Sequence, residues 1–214
     1  MKVVIGIATT GDRQEYLDNT IQSFKEQDTD LEVILRVYDN SIESIDYTDN
    51  AKFRFLEEYK EPVYYFSCDD DIIYPSDYVS KTIEAIEKHK CIVSYHGRIL
   101  RGLNRSYYEG HTALACTQSF VQTKEIDVCG TGVTAFRTDY FNPIEIYKAK
   151  DQCMSDLVFS LEATKQRKKI MHIGHYAKWI IGQDLPKGST IYENHWRSCK
   201  RQSEIADDIW LLKN

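Results

Sequence analysis

No CxxC pair occurs anywhere in these 214 residues. The cysteines, Cys68, Cys91, Cys116, Cys129, Cys153 and Cys199, lie scattered, which argues against a zinc site. Free thiols in a cytoplasmic chain are the simplest expectation. There is no GxxxxGK loop and no GxGxxG after the first apolar run, which disfavours a P-loop enzyme and a standard Rossmann dehydrogenase. Basic residues are not in excess: 27 Lys and Arg face 33 Asp and Glu, for a net charge of −6. That balance argues against a general nucleic-acid binder. No apolar run approaches a membrane span. The opening VVIGIA is too short for a signal peptide and runs into GDRQE, so any membrane contact would be peripheral. No linker, internal repeat or low-complexity tract is visible.

What is present is ordinary for a soluble globular chain: 42% hydrophobic and 28% charged residues. Length and composition favour one compact domain with a sizeable core.

Val3–Ala8 reads as a buried parallel strand, broken by Thr9-Thr10-Gly11. A helix is expected near Asp12, with Asp12 and Glu15 as a capping box and Leu17, Ile21 and Phe24 on one face. Leu31–Val37 is a second buried-type strand, ending at Tyr38-Asp39-Asn40-Ser41. A weaker helix covers Thr48–Tyr59. Pro62–Phe66 is a third strand. After Pro75, Ser76 or Asp77 caps a helix bearing Val79, Ile83 and Ile86, and Cys91–Tyr95 is a fourth strand. This β-α-β-α-β-α-β order implies a parallel sheet covered by helices. Beyond it come strand-like segments at Thr117–Gln122 and Val133–Arg137, a helix Ser155–Lys168 and a strand Lys169–Ile173. Residues 174–214 show weak periodicity and hold Trp179, Trp196 and Trp210.

Three like charges, Asp69-Asp70-Asp71, stand where the third strand ends. Adjacent carboxylates raise one another's pKa, so a positive partner is expected among them. Ligands of open parallel sheets bind beyond the carboxyl ends of the strands. There the first strand delivers Thr9, Thr10 and Arg13, the second Asp39, and the third the acidic triplet. With the glycine-rich phosphate loops missing, a bound phosphate needs a cation. Carboxylates holding Mg²⁺ or Mn²⁺, with a diphosphate completing the shell, meet that need. The plainer alternative is a polar turn whose aspartates cap the next helix.

The order strand–Thr-Thr-Gly-x-Arg, strand–Asp-Asn-Ser, strand–Asp-Asp-Asp-x-x-x-Pro resembles glycosyltransferases of the GT-A fold, family 2 in particular. Asp69-Asp70-Asp71 resembles their DXD motif. Cys129–Arg137 is similar to the strand and loop behind the donor sugar, and Met154-Ser155-Asp156-Leu157 to the segment carrying the base. The likeness covers roughly residues 1–173 and extends to short virus- and phage-type enzymes, including the amino-terminal domain of a chlorella virus protein.

The resemblance implies an α/β GT-A fold with a central mixed, mostly parallel sheet flanked by helices. It implies one domain over 1–214: a nucleotide-binding half (1–95), an acceptor and sugar half (96–173) and a carboxy-terminal lid or tail (174–214). Thr9 and Arg13 would touch the nucleotide and Asp39 its base. Asp71 would be the direct metal ligand, with Asp69 nearer the ribose or sugar and also a metal candidate. Asp70 and Gly132 would lie against the donor. Gly130 and Gly132 serve equally well as a bulge or turn. Family members often carry two acids where Ser155-Asp156 stands here. Asp156 is therefore the candidate general base or only a first-turn acid on the helix dipole. His195, with Arg197 and Lys200, would close over the diphosphate and offer a metal ligand; the alternative is a tail.

The implied activity is metal-dependent transfer of a sugar from a nucleoside diphosphate donor, UDP-linked by expectation, to the hydroxyl of a glycan or other acceptor. Mn²⁺ or Mg²⁺ is the cofactor. One base and no obvious nucleophile imply inversion. The rivals are a sugar-nucleotide nucleotidyltransferase, a two-metal nuclease and an inactive nucleotide-sugar-binding module. No nucleic-acid partner and no transmembrane segment are expected, and the location is cytoplasmic (a host's, for a viral protein). His172 and His175 stand three apart but lack the companions of a zinc set. Lys165–Lys169 reads as a solvated helix face.

Overall fold

The computed structural model describes residues 1–190 and 200–214. In chain order it begins with β1 (Val3–Thr9), α1 (Gln14–Lys25), β2 (Val33–Asp39), β3 (Tyr64–Asp69), β4 (Ile72–Ile73), α2 (Tyr78–His89), β5 (Ile92–Ser94) and β6 (Gly97–Leu100). It continues through β7 (His111–Leu114), β8 (Lys124–Glu125), β9 (Val128–Cys129), β10 (Val133–Arg137), α3 (Ser155–Lys165), β11 (Ile170–His172), β12 (Ile181–Gly182) and α4 (Lys200–Lys213). The expected weak helix is a 3₁₀ segment, Thr48–Glu58.

The main sheet has the order β2-β1-β3-β10-β5-β11-β8. β1 pairs in parallel with β2 and β3. β10 inserts antiparallel between β3 and β5, β11 runs parallel to β5, and β8 closes the edge antiparallel. The result is a mixed, mostly parallel sheet, with β10 and β8 opposing the rest.

Both faces are covered. Alternation along β1 sends Val3, Ile5 and Ile7 into one core cluster and Val4 into the other, as the pleat requires. Phe24 of α1 and Val79 and Ile86 of α2 fill the first face. Phe53 and Leu56 of the 3₁₀ segment and Phe159 of α3 fill the second. Gly6 is what lets the 3₁₀ segment come so near. A Cβ there would strike the Lys52 carbonyl and the Tyr65 hydroxyl, and Tyr65 Oη donates to that same carbonyl at 2.5 Å.

Four local expectations change. The capping box at Asp12 does not form: Gly11–Arg13 is a 3₁₀ turn, α1 starts at Gln14, and Asp12 accepts from Thr10 Oγ1 at 2.6 Å. Asp77 precedes α2 without capping it, because its carboxylate takes Trp179 Nε1 at 2.8 Å and Lys81 Nζ at 2.6 Å. Residues 117–122 make only one bridge, Phe120 to His175, rather than a strand. The weakly periodic end contains α4, whose Ile205 and Ile209 are fully buried with Leu157 of α3.

The described cysteines are free. Among the described residues no helix is long and apolar enough to cross a membrane.

Candidate functional site

β1 and β3 are neighbours in register, Ala8 opposite Asp69, so their ends open onto one edge. A cavity of about 500 Å³ lies there. Its walls include Thr9, Thr10, Arg13, Asn40, Asp49, Lys52, the whole triplet Asp69–Asp71, Arg98, Thr131 and Asp156.

The three carboxylates are held in three different ways. Asp70 is 3% exposed. It accepts from Thr9 Oγ1 at 2.6 Å and from Arg13 Nη1 at 2.9 Å. Burial nevertheless lifts its carboxyl above the ordinary range, against the pull of Thr9 and Arg13. Asp69 is paired with Lys52 Nζ. Among the described residues the Asp71 carboxylate has only a long contact, Arg13 Nη1 at 3.5 Å. Burial, then Asp69 and Asp70, push Asp71 up to about 7. From α1, Thr20 Oγ1 reaches the carbonyls of Asp70 at 2.9 Å and Ile72 at 2.8 Å, which fixes the turn that displays these acids. Arg13 also ties the site to Ser189, donating to its carbonyl at 2.6 Å.

Lys52 was not legible in the sequence. A lysine within a charged segment reads as solvated, yet this one is 3% exposed. Burial alone would lower its pKa, but Asp69 and Asp49 hold it above the ordinary lysine value. The repulsion within the acidic triplet is thus partly relieved inside the chain. Lys52 and Arg13 supply two positive charges to three negative ones, and Asp71 carries the imbalance.

Asp156 enters from the start of α3. That start is pinned by Asp49, whose Oδ2 accepts from Ser155 N at 2.9 Å and Ser155 Oγ at 2.5 Å. Asp156 Oδ1 accepts from Thr131 N at 2.7 Å and Thr131 Oγ1 at 2.8 Å, and Oδ2 from Arg98 Nη1 at 3.3 Å. Burial would raise its pKa, but Arg98 and the Thr131 amide outweigh it and hold the carboxyl below its ordinary value. It stands ionised, in Coulomb reach of Lys52.

The residues suit a divalent cation only in part by themselves. Among the described residues no three His, Cys, Asp or Glu side chains converge as a ready cage. Asp69 Oδ1 and both Asp70 oxygens are engaged. Asp69 Oδ2 and Asp71 Oδ1 have no hydrogen bond among the described residues, and Asp71 holds uncompensated charge. Both residues line a phosphate-sized space, with Asp69 Oδ2 against Gly132, and carboxylates so placed suit a cation completed by substrate oxygens.

Thr9, Arg13, Asp69, Asp70, Asp71 and Asp156 are therefore gathered around one cavity. Asp39 is not on its wall; its Oδ1 accepts from Ser41 N at 2.9 Å and Ser41 Oγ at 2.6 Å, and the neighbouring Asn40 lines the space instead. Gly132 lies behind the wall, where a Cβ would collide with the Asp69 carboxylate. His195 and Arg197 lie outside the described residues. His172 and His175 are apart from the cavity; both His175 ring nitrogens sit 2.9 Å from carbonyls, of Ile173 and Cys116.

No family model and no curated protein sequence matches the chain. Solved structures do. Staphylococcus aureus TarS 1–349 in complex with UDP-GlcNAc matches with a TM-score of 0.58 and 14% identity, over 96% of this chain and 66% of that one. The same fragment in another structure gives a TM-score of 0.55 at 14% identity, over 99% and 71%. The mannosyltransferase PcManGT from Pyrobaculum calidifontis, in complex with GDP-Man and Mn²⁺, gives 0.52 at 14% identity, over 100% and 64%. The chain thus spans just under two thirds of the first TarS chain and of the mannosyltransferase. Identities this low speak to architecture, and the architecture they share with this chain is the GT-A fold.

Proposed function

We propose that this chain is a glycosyltransferase. It would move a sugar from a nucleoside diphosphate donor, a UDP-sugar by preference, to an acceptor hydroxyl. The observation that carries this reading is the convergence of Thr9, Arg13, Lys52 and the Asp69–Asp71 turn on one cavity at the strand ends of a GT-A sheet. The solved structures of this fold that hold UDP-GlcNAc and GDP-Man with Mn²⁺ support it.

In this reading Thr9 and Arg13 face the nucleotide, and Asp39, one residue off the wall, meets the base once a ligand is seated. Lys52 and Arg13 place positive charge against the donor's phosphates. Asp71 and Asp69 would hold Mn²⁺ or Mg²⁺, which would neutralise charge on the departing diphosphate. Asp156 takes the proton of the acceptor hydroxyl as its oxygen bonds to the anomeric carbon. The bond from that carbon to the diphosphate breaks, and the nucleoside diphosphate leaves. Attack from the side opposite the leaving group inverts the anomeric centre. Thr131 N and Arg98 keep Asp156 ionised and oriented, at the cost of intrinsic basicity. The virus- and phage-type likeness rests on motif order, and a cytoplasmic location on the scattered, free cysteines; both belong to the same reading.

A panel of UDP-, GDP- and dTDP-sugars with Mn²⁺, followed by release of the nucleoside diphosphate, tests it. Release from one member of the panel, rising with an added hydroxyl acceptor, is expected. Pyrophosphate-dependent cleavage of a nucleotide-sugar to a nucleoside triphosphate and a sugar 1-phosphate instead would identify a nucleotidyltransferase. Donor binding without any turnover would identify an inactive binding module.

A further inference from the structure

The cavity has a second end that the donor reading does not use. It is built from Arg98 of β6, Tyr107 and Tyr108 before β7, and Gln202 of α4. Arg98 is mostly buried, its side chain 16% exposed. A guanidinium has five N–H donors, yet among the described residues its only hydrogen bond is the 3.3 Å contact to Asp156. Its face lies 5.2 Å from the Tyr107 ring.

Two further polar atoms at this end are buried without a partner among the described residues: Tyr107 Oη and Gln202 Oε1. Tyr107 is 4% exposed and Gln202 5%. Gln202 spends its amide nitrogen on Tyr108 Oη at 3.2 Å, and its buried carbonyl belongs to a side chain that lines the space. Buried polar atoms without partners cost stability, so such a cluster is a place where a polar ligand or a bound water would be held. Arg98 is paired with Asp156 on one side only, and Arg101 adds positive charge nearby. His111 stands nearby with its pKa lowered by burial and then by Arg98 and Arg101.

The unmet valences describe the ligand. Arg98 offers only donors, Gln202 Oε1 only accepts, and the tyrosine hydroxyl does either. A group that satisfies all three has an anionic oxygen next to a hydroxyl.

We propose that this end of the cavity is the acceptor subsite, and that it selects an acidic, hydroxyl-bearing acceptor. The anionic oxygen meets Arg98 and Tyr107, and a hydroxyl meets Gln202. The same hold brings a second hydroxyl toward Asp156, the partner of Arg98. The proposal rests on the transferase reading for the word acceptor, but not for the binding chemistry itself.

The test is ligand-observed NMR titration of the whole chain, saturated with UDP, against two acid–neutral pairs: glycerol phosphate with glycerol, and glucuronic acid with glucose. A charge-assisted contact of this kind predicts about tenfold tighter binding of at least one acid over its neutral partner. Preference for the phosphate indicates a polyol phosphate, and preference for the carboxylate a sugar acid. The preference should persist under UDP, vanish in Arg98→Gln and weaken in Tyr107→Phe. Equal binding of both pairs to the unaltered chain overturns the proposal without need of any variant. So does an acid preference that UDP abolishes or that Arg98→Gln retains. Absence of binding by UDP, GDP and dTDP alike would defeat the transferase reading alone, and the acid–neutral comparison would still decide the subsite.

Discussion

Lys52 and Asp156 are the residues on which the site's electrostatics turn. Replacing Lys52 with Met leaves the Asp69 carboxylate without its cation. Breaking a buried pair from one side is costly, but Asp69 is partly wetted, so about 2 kcal/mol of stability is expected to go, with a loss of at least about tenfold in UDP affinity. Thermal unfolding and titration calorimetry on one sample read both. Asp156→Asn removes the proposed base and keeps one acceptor oxygen, for either Arg98 or Thr131. Sugar transfer should fall by about a hundredfold or more with UDP affinity unchanged. Full activity in this variant would remove Asp156 from the chemistry. Because its pKa is held below 3.8, loss of the base by protonation falls below about pH 4. A kcat profile should therefore show no acid limb from this group between pH 5 and 8. At this scale the sequence spoke clearly where position and residue type agreed, as at Asp69–Asp71 after a buried strand. It was silent on Lys52, whose burial depends on a glycine in β1 some forty-six residues away. It was silent on Arg98 too, which is recognisable only once β6 and α3 are seen side by side.

At the scale of elements, α2 is clamped to the sheet by one carboxylate. Glu87 accepts from Tyr64 Oη of β3 at 2.8 Å and from Arg137 Nη1 of β10 at 2.9 Å, and it pairs with Lys90. These bonds, Lys90 first, then Tyr64 and Arg137, bring Glu87 down from 4.5 to about 2. A depressed carboxylate stabilises the fold above its unfolded pKa and loses that contribution as pH falls toward its folded one. The window here runs from pH 4.5 down to about 2. Glu87→Gln should lower the melting temperature at neutral pH and flatten its decline through that window, which scanning calorimetry at several pH values would show. An unchanged acid limb would mean that the clamp does not act. The last helix carries its own prediction. Ile205 is fully buried with Leu157 and Ile209, so Ile205→Ala should cost about 2–4 kcal/mol in a single cooperative transition. Unfolding of α4 as a separate early step would contradict its place in the core. Helix α4 escaped the sequence reading because only Gln202, Ile205, Ala206 and Ile209 are buried along fourteen residues. A stripe that narrow gives a weak period. The antiparallel entry of β10 was equally hidden, since Val133–Arg137 has the same apolar run whichever way it points.

For the whole molecule, the legible part was the sequence of alternating strands and helices, and with it the sheet edge onto which the cavity opens. Strand order and the docking of α3 and α4 came from long-range contacts that no local pattern encodes. What they add is a cavity with two chemically distinct ends: an acidic one compensated by Lys52 and Arg13, and one built around Arg98. Asp156 stands between them, bonded to Arg98 and within the field of Lys52. The division suits a reaction in which a diphosphate and a hydroxyl approach one base from opposite sides.

We propose that the Asp69–Asp71 turn forms a donor-diphosphate site completed by a cation. Titration calorimetry of the chain with UDP tests it most directly, first with Mn²⁺, then with EDTA, then with Asp71→Ala. Binding that requires both the metal and Asp71 is the predicted result. Binding indifferent to EDTA and to the substitution would contradict the account, leaving Lys52 and Arg13 as a metal-free phosphate site.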